Sequence, residues 1–203
     1  MRNVVSLKSP RPPKELRDQV RRDEIVEAAR ICVVRHGFNA ASMAEIAEMA
    51  RMSVGQIYRY FPNKEAIVHA IVEQIVERRL EWLASDANAD DLPGTLSRAL
   101  LFGHPTENRD VSVLMLEIGA EATRNPAVAA IVLDAHRRVR VQAVAMFRKA
   151  HRHLSEQQAG ACVDLLGALT EGCASQRVTG VGREDKALGK LYKEVIELAL
   201  AKR

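Results

Sequence analysis

Two helix starts set close together constrain this chain more than any other feature of its sequence. Ser42-Met43-Ala44-Glu45 has the form S-x-x-E, and Ser53-Val54-Gly55-Gln56 the form S-x-x-Q. In such a capping box the hydroxyl accepts from the amide three residues on, and the longer side chain returns to the amide of the cap itself. The first helix must end before the second begins, and only Arg51 and Met52 are free to make the turn. Helices of about two turns joined so tightly cross steeply, which is helix-turn-helix geometry. Upstream, Ile25, Ala28, Ala29, Cys32, Val33 and His36 recur at helical spacing until Gly37 stops them, and Phe38 then offers a bulky plug for the small core. Downstream, Asn63 caps a fourth helix running to about Ser85, with Ile67, Ile71, Ile75 and Trp82 on its apolar face.

The rest of the chain also reads as helix. Asp90-Asp91-Leu92-Pro93-Gly94 is a loop before a short helix to Phe102, and residues 103–108 break that helix. Further helices are expected over 111–124, from Pro126 to about His153, from a third capping box at Ser155-Glu156-Gln157-Gln158 to about Val178, and over 183–201. The expected fold is all-α with about nine helices. Strand-like alternation is absent, and the Gly180/Gly182 pair lies between helices, so it does not read as a nucleotide loop. No nucleophile elbow, His-Glu-x-x-His or phosphate loop is present, so neither an enzyme, a cofactor nor a metal site is expected. His151 and His153 read as surface, and Cys32, Cys162 and Cys173 as reduced core thiols. No apolar run approaches bilayer length and no signal-peptide pattern opens the chain, so a cytoplasmic protein without a membrane partner is expected.

Charge is unevenly divided. Residues 1–66 carry twelve Lys and Arg against eight Asp and Glu, and the remainder is balanced, so the net charge of +4 lies in the first third. A polyanionic partner for that third is the physical implication, because neutralising phosphates releases counterions. Residues 1–15, with Pro10, Pro12 and Pro13 among four basic residues, read as a flexible basic arm.

Within the second capped helix, Ile57 is expected to point inward with Val54 and Phe61, leaving Gly55, Gln56, Arg59 and Tyr60 outward. Gln and Arg carry the paired donors and acceptors that match adenine and guanine edges in the major groove. Tyr58 and Tyr60 can give hydroxyls to phosphate, and Gly55 lets the backbone approach a partner. Ser42 and Lys64 stand at helix starts, where amides favour a phosphate. Each residue also has a plain structural use: Tyr58 packed between helices, Gln56 as the partner of Ser53 alone, Lys64 as a solvated charge.

Ile46-Ala47 through Tyr58-Arg59-Tyr60-Phe61-Pro62-Asn63-Lys64-Glu65-Ala66 resembles the signature of the TetR/AcrR family, and the likeness extends over residues 17–72. The resemblance implies a helix-turn-helix DNA-binding domain over 16–62 and a ligand-binding and dimerisation bundle over 63–203. It assigns phosphate contacts to Ser42, Tyr58, Tyr60 and Lys64. Base reading falls to Val54, Gln56 and Arg59, with Met43 and Ala44 near the groove and Ser53 and Gly55 on the same surface. Where the family has Gly in the turn, this chain has Arg51; a left-handed backbone there costs roughly 1–2 kcal/mol.

The same resemblance implies a pocket drawn from Phe102, His104, Met115, Glu117, His136 and Phe147. Glu117 sits in an apolar run, as would a buried acid facing a cation, yet Glu117, Glu121 and Arg124 also share one stripe, and that stripe favours a solvated face. A dimer interface would use Leu188, Leu191, Val195 and Leu198 with Cys162, Leu165, Leu166, Leu169 and Cys173, although either stripe could be intrachain core. The function implied is a homodimeric repressor on a palindromic double-stranded DNA operator, released by an unknown small-molecule effector. The alternative is an architectural or cell-division factor on the same fold without an effector.

Overall fold

The computed structural model describes residues 13–86, 92–103, 108–181 and 185–201, and these form helices and their connections. The basic arm therefore lies almost wholly outside the described residues, as does His104. In α1 (Lys14–His36) one stripe is buried, comprising Ile25, Val26, Ala28, Ala29, Cys32 and Val33. The helix ends at Gly37, whose φ of +83° suits glycine and whose N–H bonds to the Val33 carbonyl at 2.9 Å. Phe38 then drops into the core, 2% exposed.

α2 (Met43–Met49) and α3 (Val54–Tyr60) follow. Their turn closes with two bonds, Arg51 N–H to Glu48 O at 3.0 Å and Met52 N–H to Ala47 O at 2.9 Å, the paired pattern of a Schellman end. Arg51 takes φ +53°, the one positive φ outside glycine among the described residues. Arg51→Gly is therefore expected to stabilise the protein by about 1 kcal/mol, the left-handed cost outweighing the added chain entropy. Thermal unfolding should show it as a Tm higher by about 2–4 °C.

The α3 box forms reciprocally: Gln56 N–H reaches Ser53 Oγ at 3.2 Å and Ser53 N–H reaches Gln56 Oε1 at 2.9 Å. The α2 box is only half made. Ser42 Oγ accepts from Glu45 N–H at 3.2 Å, but the Glu45 carboxylate turns to His36 Nδ1 and ties α2 to the end of α1.

Six helices complete the described fold: α4 (Lys64–Asp86), α5 (Leu92–Phe102), α6 (Arg109–Ala122), α7 (Pro126–Ala150), α8 (Glu156–Thr179) and α9 (Lys186–Leu200). Polar side chains open most of them. Asn63 Oδ1 accepts from Ala66 N–H at 2.8 Å, Asn108 Oδ1 from Val111 N–H at 3.0 Å, and Asp185 Oδ1 from Ala187 N–H at 2.8 Å. Ser155 and Gln158 form a second reciprocal box. α5 begins earlier than the loop reading implied, because Pro93 falls in its first turn, where a missing N–H costs nothing.

Packing divides part-way along α4. One buried cluster joins Ile25, Phe38, Ile46, Ile57 and Phe61 to Ile67, Ile71 and Ile75 of α4, and to Leu114 and Ile118 of α6. A second gathers Leu83 with Leu100, Phe147, Cys162 and Ile196. The three cysteines are buried with no disulfide between them, and burial raises the Cys32 pKa above its ordinary value.

His151, just beyond α7, is half-buried beside His153, the ring centroids 5.9 Å apart. Burial, and then the neighbouring His153, lower its pKa from the ordinary 6.5. Below that value the unfolded chain takes up the proton before the folded one, so this histidine subtracts stability as pH falls from 6.5 through its lowered folded value. Urea midpoints at about pH 7.5 and about pH 5.5 should separate more in the native protein than in His151→Leu.

Candidate nucleic-acid interface and cavity

Ile57 and Phe61, 0% and 1% exposed, fix the rotation of α3. At 100° per residue the opposite side then carries Gly55, Gln56, Tyr58 and Arg59, all exposed. Val54, expected inward, lies in the first turn beyond the rim of the core and is 39% exposed. Tyr60, expected outward, is half-buried on the flank facing α1. Its hydroxyl donates to Asp18 Oδ1 at 3.4 Å, and its carbonyl accepts from Arg22 Nη1 at 2.9 Å. The Arg22 guanidinium also lies 4.6 Å from the centre of the Phe61 ring. Sequence reasoning missed this brace because Arg22 and Asp18 meet Tyr60 only in three dimensions.

The outward surface is small, polar and partly apolar at once. A Cβ on Gly55 would meet nothing within 4 Å, so packing within the chain does not demand glycine there. Gln56 gives its oxygen to the cap, which leaves its NH2 end as the donor for a partner. Ser42, Ala44 and Ser53 are exposed beside α3, and Met43 packs half-buried against the core.

Lys64 stands behind this surface. Its Nζ donates to the Phe38 carbonyl at 2.9 Å and sits 4.2 Å from the centre of the Phe38 ring. Burial lowers its pKa, against the opposing pull of Glu121 and Glu65. In this structure the Lys64 ammonium is engaged by that internal bond.

A cavity of about 230 Å³ opens between α4, α6, α7 and α8, with Leu96 of α5 at its edge. Its wall is mainly apolar, built from residues such as Val72, Ile75, Val76, Trp82, Val139, Ala143 and Met146. Arg140 and Asp164 close one side through paired bonds of 2.6 and 2.9 Å. That contact holds the Asp164 carboxyl below its ordinary pKa. Of the expected pocket residues, Met115, His136 and Phe147 line this cavity. Phe102 does not, and is 59% exposed. Glu117 does not either, and it fits neither expectation, free acid or solvated stripe. Its Oε2 accepts the Phe38 N–H at 2.9 Å. Its stripe partner Glu121 is buried, with Arg124 Nη2 at 2.7 Å.

The family model for bacterial regulatory proteins of the tetR family matches residues 25–71, and the model for the C-terminal part of BetI-type transcriptional repressors matches residues 96–199. The chain belongs to the TetR family. Among its relatives, the transcriptional regulator UidR of Escherichia coli (strain K12) is 32% identical over 118 residues, covering 58% of this chain and 60% of that protein. The chain thus spans about 60% of the length of that curated relative. The transcriptional repressor AcnR of Corynebacterium diphtheriae is 27% identical over 152 residues, 75% of this chain and 76% of that one. The solved structure of Salmonella enterica GusR superposes with a TM-score of 0.80 at 26% identity, covering 94% of this chain and 99% of that one.

As a TetR-family chain it shows an outward apolar face on its last two helices. Leu165 of α8 is 43% exposed, with Leu191 and Leu198 of α9 at 53% and 66%, and Leu188 and Val195 half-buried beside them. The α8 stripe faces two ways. Cys162 Sγ bonds the Ala199 carbonyl at 3.3 Å and Cys173 Sγ lies 3.2 Å from the Tyr192 hydroxyl, raising that phenol to about 12. Leu166 and Leu169 pack with them against the chain's own core. No helix among the described residues is long and apolar enough to cross a membrane.

Proposed function

We propose that this chain is a cytoplasmic transcriptional repressor that binds a palindromic operator as a homodimer and releases it when a small molecule fills the α4–α8 cavity. One observation carries this reading: α4 belongs to both halves. Its first turns, through Ile67 and Ile71, are embedded in the core of α1–α3, and its later turns, through Val72, Ile75 and Trp82, form the cavity wall. A ligand that shifts α4 must therefore disturb the base on which α3 is mounted.

In this reading Val54, Gln56 and Arg59 read bases, and Ser42 and Tyr58 hold phosphates, with Met43 and Ala44 near the groove. Tyr60 and Lys64 act from behind as braces. Residues 16–62 are the DNA-binding unit and 63–203 the effector and dimer unit. The positive charge of the first third supplies the sequence-independent attraction. Leu165, Leu191 and Leu198 would pack against a second copy, whose own α3 reads the other half-site. Release requires the ligand to favour the non-binding conformation by a few kcal/mol.

Selecting bound sequences from random duplex DNA tests the proposal. The expected product is an inverted repeat with half-sites about one helical turn or more apart. Recovery of unselected sequence, or of single half-sites alone, would count against it.

A further inference from the structure

We infer that Phe38 is the point at which the cavity is coupled to the DNA-reading unit, held from α6 by Glu117 and from α4 by Lys64. The inference rests on the reading above, since it names how that cavity would govern operator binding. Both polar groups of this one residue are gripped by side chains from the larger bundle. Glu117 Oε2 accepts its N–H at 2.9 Å, and Lys64 Nζ donates to its carbonyl at 2.9 Å while lying over its ring at 4.2 Å. A carboxylate on the N–H and an ammonium on the C=O both favour one orientation of Phe38 and its peptide groups, so the two grips reinforce each other. The Phe38 side chain is buried among residues of α1–α4, so it cannot shift without moving them.

Both grips lead back to the cavity. Glu117 lies two residues beyond Met115, a wall residue, on a helix anchored by buried Leu114 and Ile118. Lys64 opens α4, whose Val72 and Ile75 line the same space. Next to the clamp, Asn125 Nδ2 bridges Glu65 Oε1 at 3.3 Å and Glu121 Oε1 at 3.4 Å, tying the start of α4 to the end of α6. On the other side, Phe38 sits in the connection that launches α2. The Gly37 carbonyl accepts from Ala41 N–H at 3.2 Å, just before Ser42 caps that helix. Gly37 itself has φ +83°, a backbone conformation that favours glycine, and a Cβ there would lie 3.4 Å from Glu117 Oε2, so the carboxylate sits against this turn. A displaced α6 or α4 is thus felt first where α2 and α3 hang.

Coupling between sites is reciprocal, so DNA can serve as the probe without a known effector. The measurement is amide hydrogen exchange of the full chain, free and saturated with duplex. In the native protein, duplex binding should slow exchange in both α6 and α4. Glu117→Ala should cut the α6 response by about fivefold or more and spare that of α4, and Lys64→Met should do the reverse. Glu117→Gln keeps an acceptor oxygen and should preserve the α6 response. A merely structural role for either residue would weaken both responses alike, so parallel losses in Glu117→Ala and Lys64→Met overturn the inference, as do native-like responses in either of those two variants. Should Glu117→Ala fail to fold, Lys64→Met still tests the inference: a loss confined to α4 supports it, and a loss shared by α6 or absent from α4 overturns it. The selected operator is the duplex of choice. If selection returns no preferred sequence, the repressor reading fails, and a random duplex at low salt still carries this test.

Discussion

Arg59→Ala is expected to remove sequence selection while leaving the protein folded. Arg59 is exposed on the face of α3 opposite Ile57, and none of the described residues engages it in a hydrogen bond or ion pair. Its loss therefore costs the isolated chain almost nothing. A bidentate contact to a guanine edge is worth about 1–3 kcal/mol of discrimination, or roughly ten- to hundredfold in affinity for the selected operator over a scrambled duplex. Fluorescence anisotropy against both duplexes checks this, with thermal unfolding as the control for folding. An equal loss on both duplexes would mean that Arg59 only neutralises phosphate, and the base-reading role assigned to it would fall.

Phe38→Ala should produce the largest loss of stability. The ring is among the largest fully enclosed side chains of the chain and joins the cores of α1–α3 and α4. Truncating a buried Phe costs about 3–5 kcal/mol, a large part of the 5–15 kcal/mol that stabilises a typical domain. Urea unfolding should show a sharply lowered midpoint with an unchanged slope. Phe38→Leu should retain most of the stability, because it refills much of the volume and leaves both backbone grips in place. A loss below about 1 kcal/mol for the alanine variant would mean that the site collapses freely, and Phe38 could not then act as a coupling point.

Local chemistry was the most legible part of this chain. The hydroxyl caps at Ser53 and Ser155 and the stop at Gly37 act through neighbours within a few residues, and each lies where its sequence pattern places it. The left-handed turn at Arg51 was legible only through the family resemblance, which puts Gly where this chain has Arg51. Errors arose where a distant residue competed. Glu45 could have completed its box, but the His36 ring offered a polar partner nine residues away in sequence. Val54 is more exposed and Tyr60 more buried than the period of α3, anchored at Ile57 and Phe61, implies; for Tyr60 the flank is decided by Asp18 and Arg22 of α1.

The cavity was the least legible. Helical periodicity reports which side chains leave water, and Trp82 or Val139 leaves it equally well beside a void or beside a neighbour. Glu117 illustrates the same limit, since its stripe and its apolar surroundings gave opposite readings. The bond to Phe38 that overrules both spans 79 residues.

Trp82 is the sole tryptophan of the chain, and it lies in the cavity wall. The protein accordingly carries its own optical reporter: intrinsic emission, free of background from any second indole, will shift when a compound enters beside that ring. Unlabelled compound collections can be ranked by that signal before any target gene has been identified.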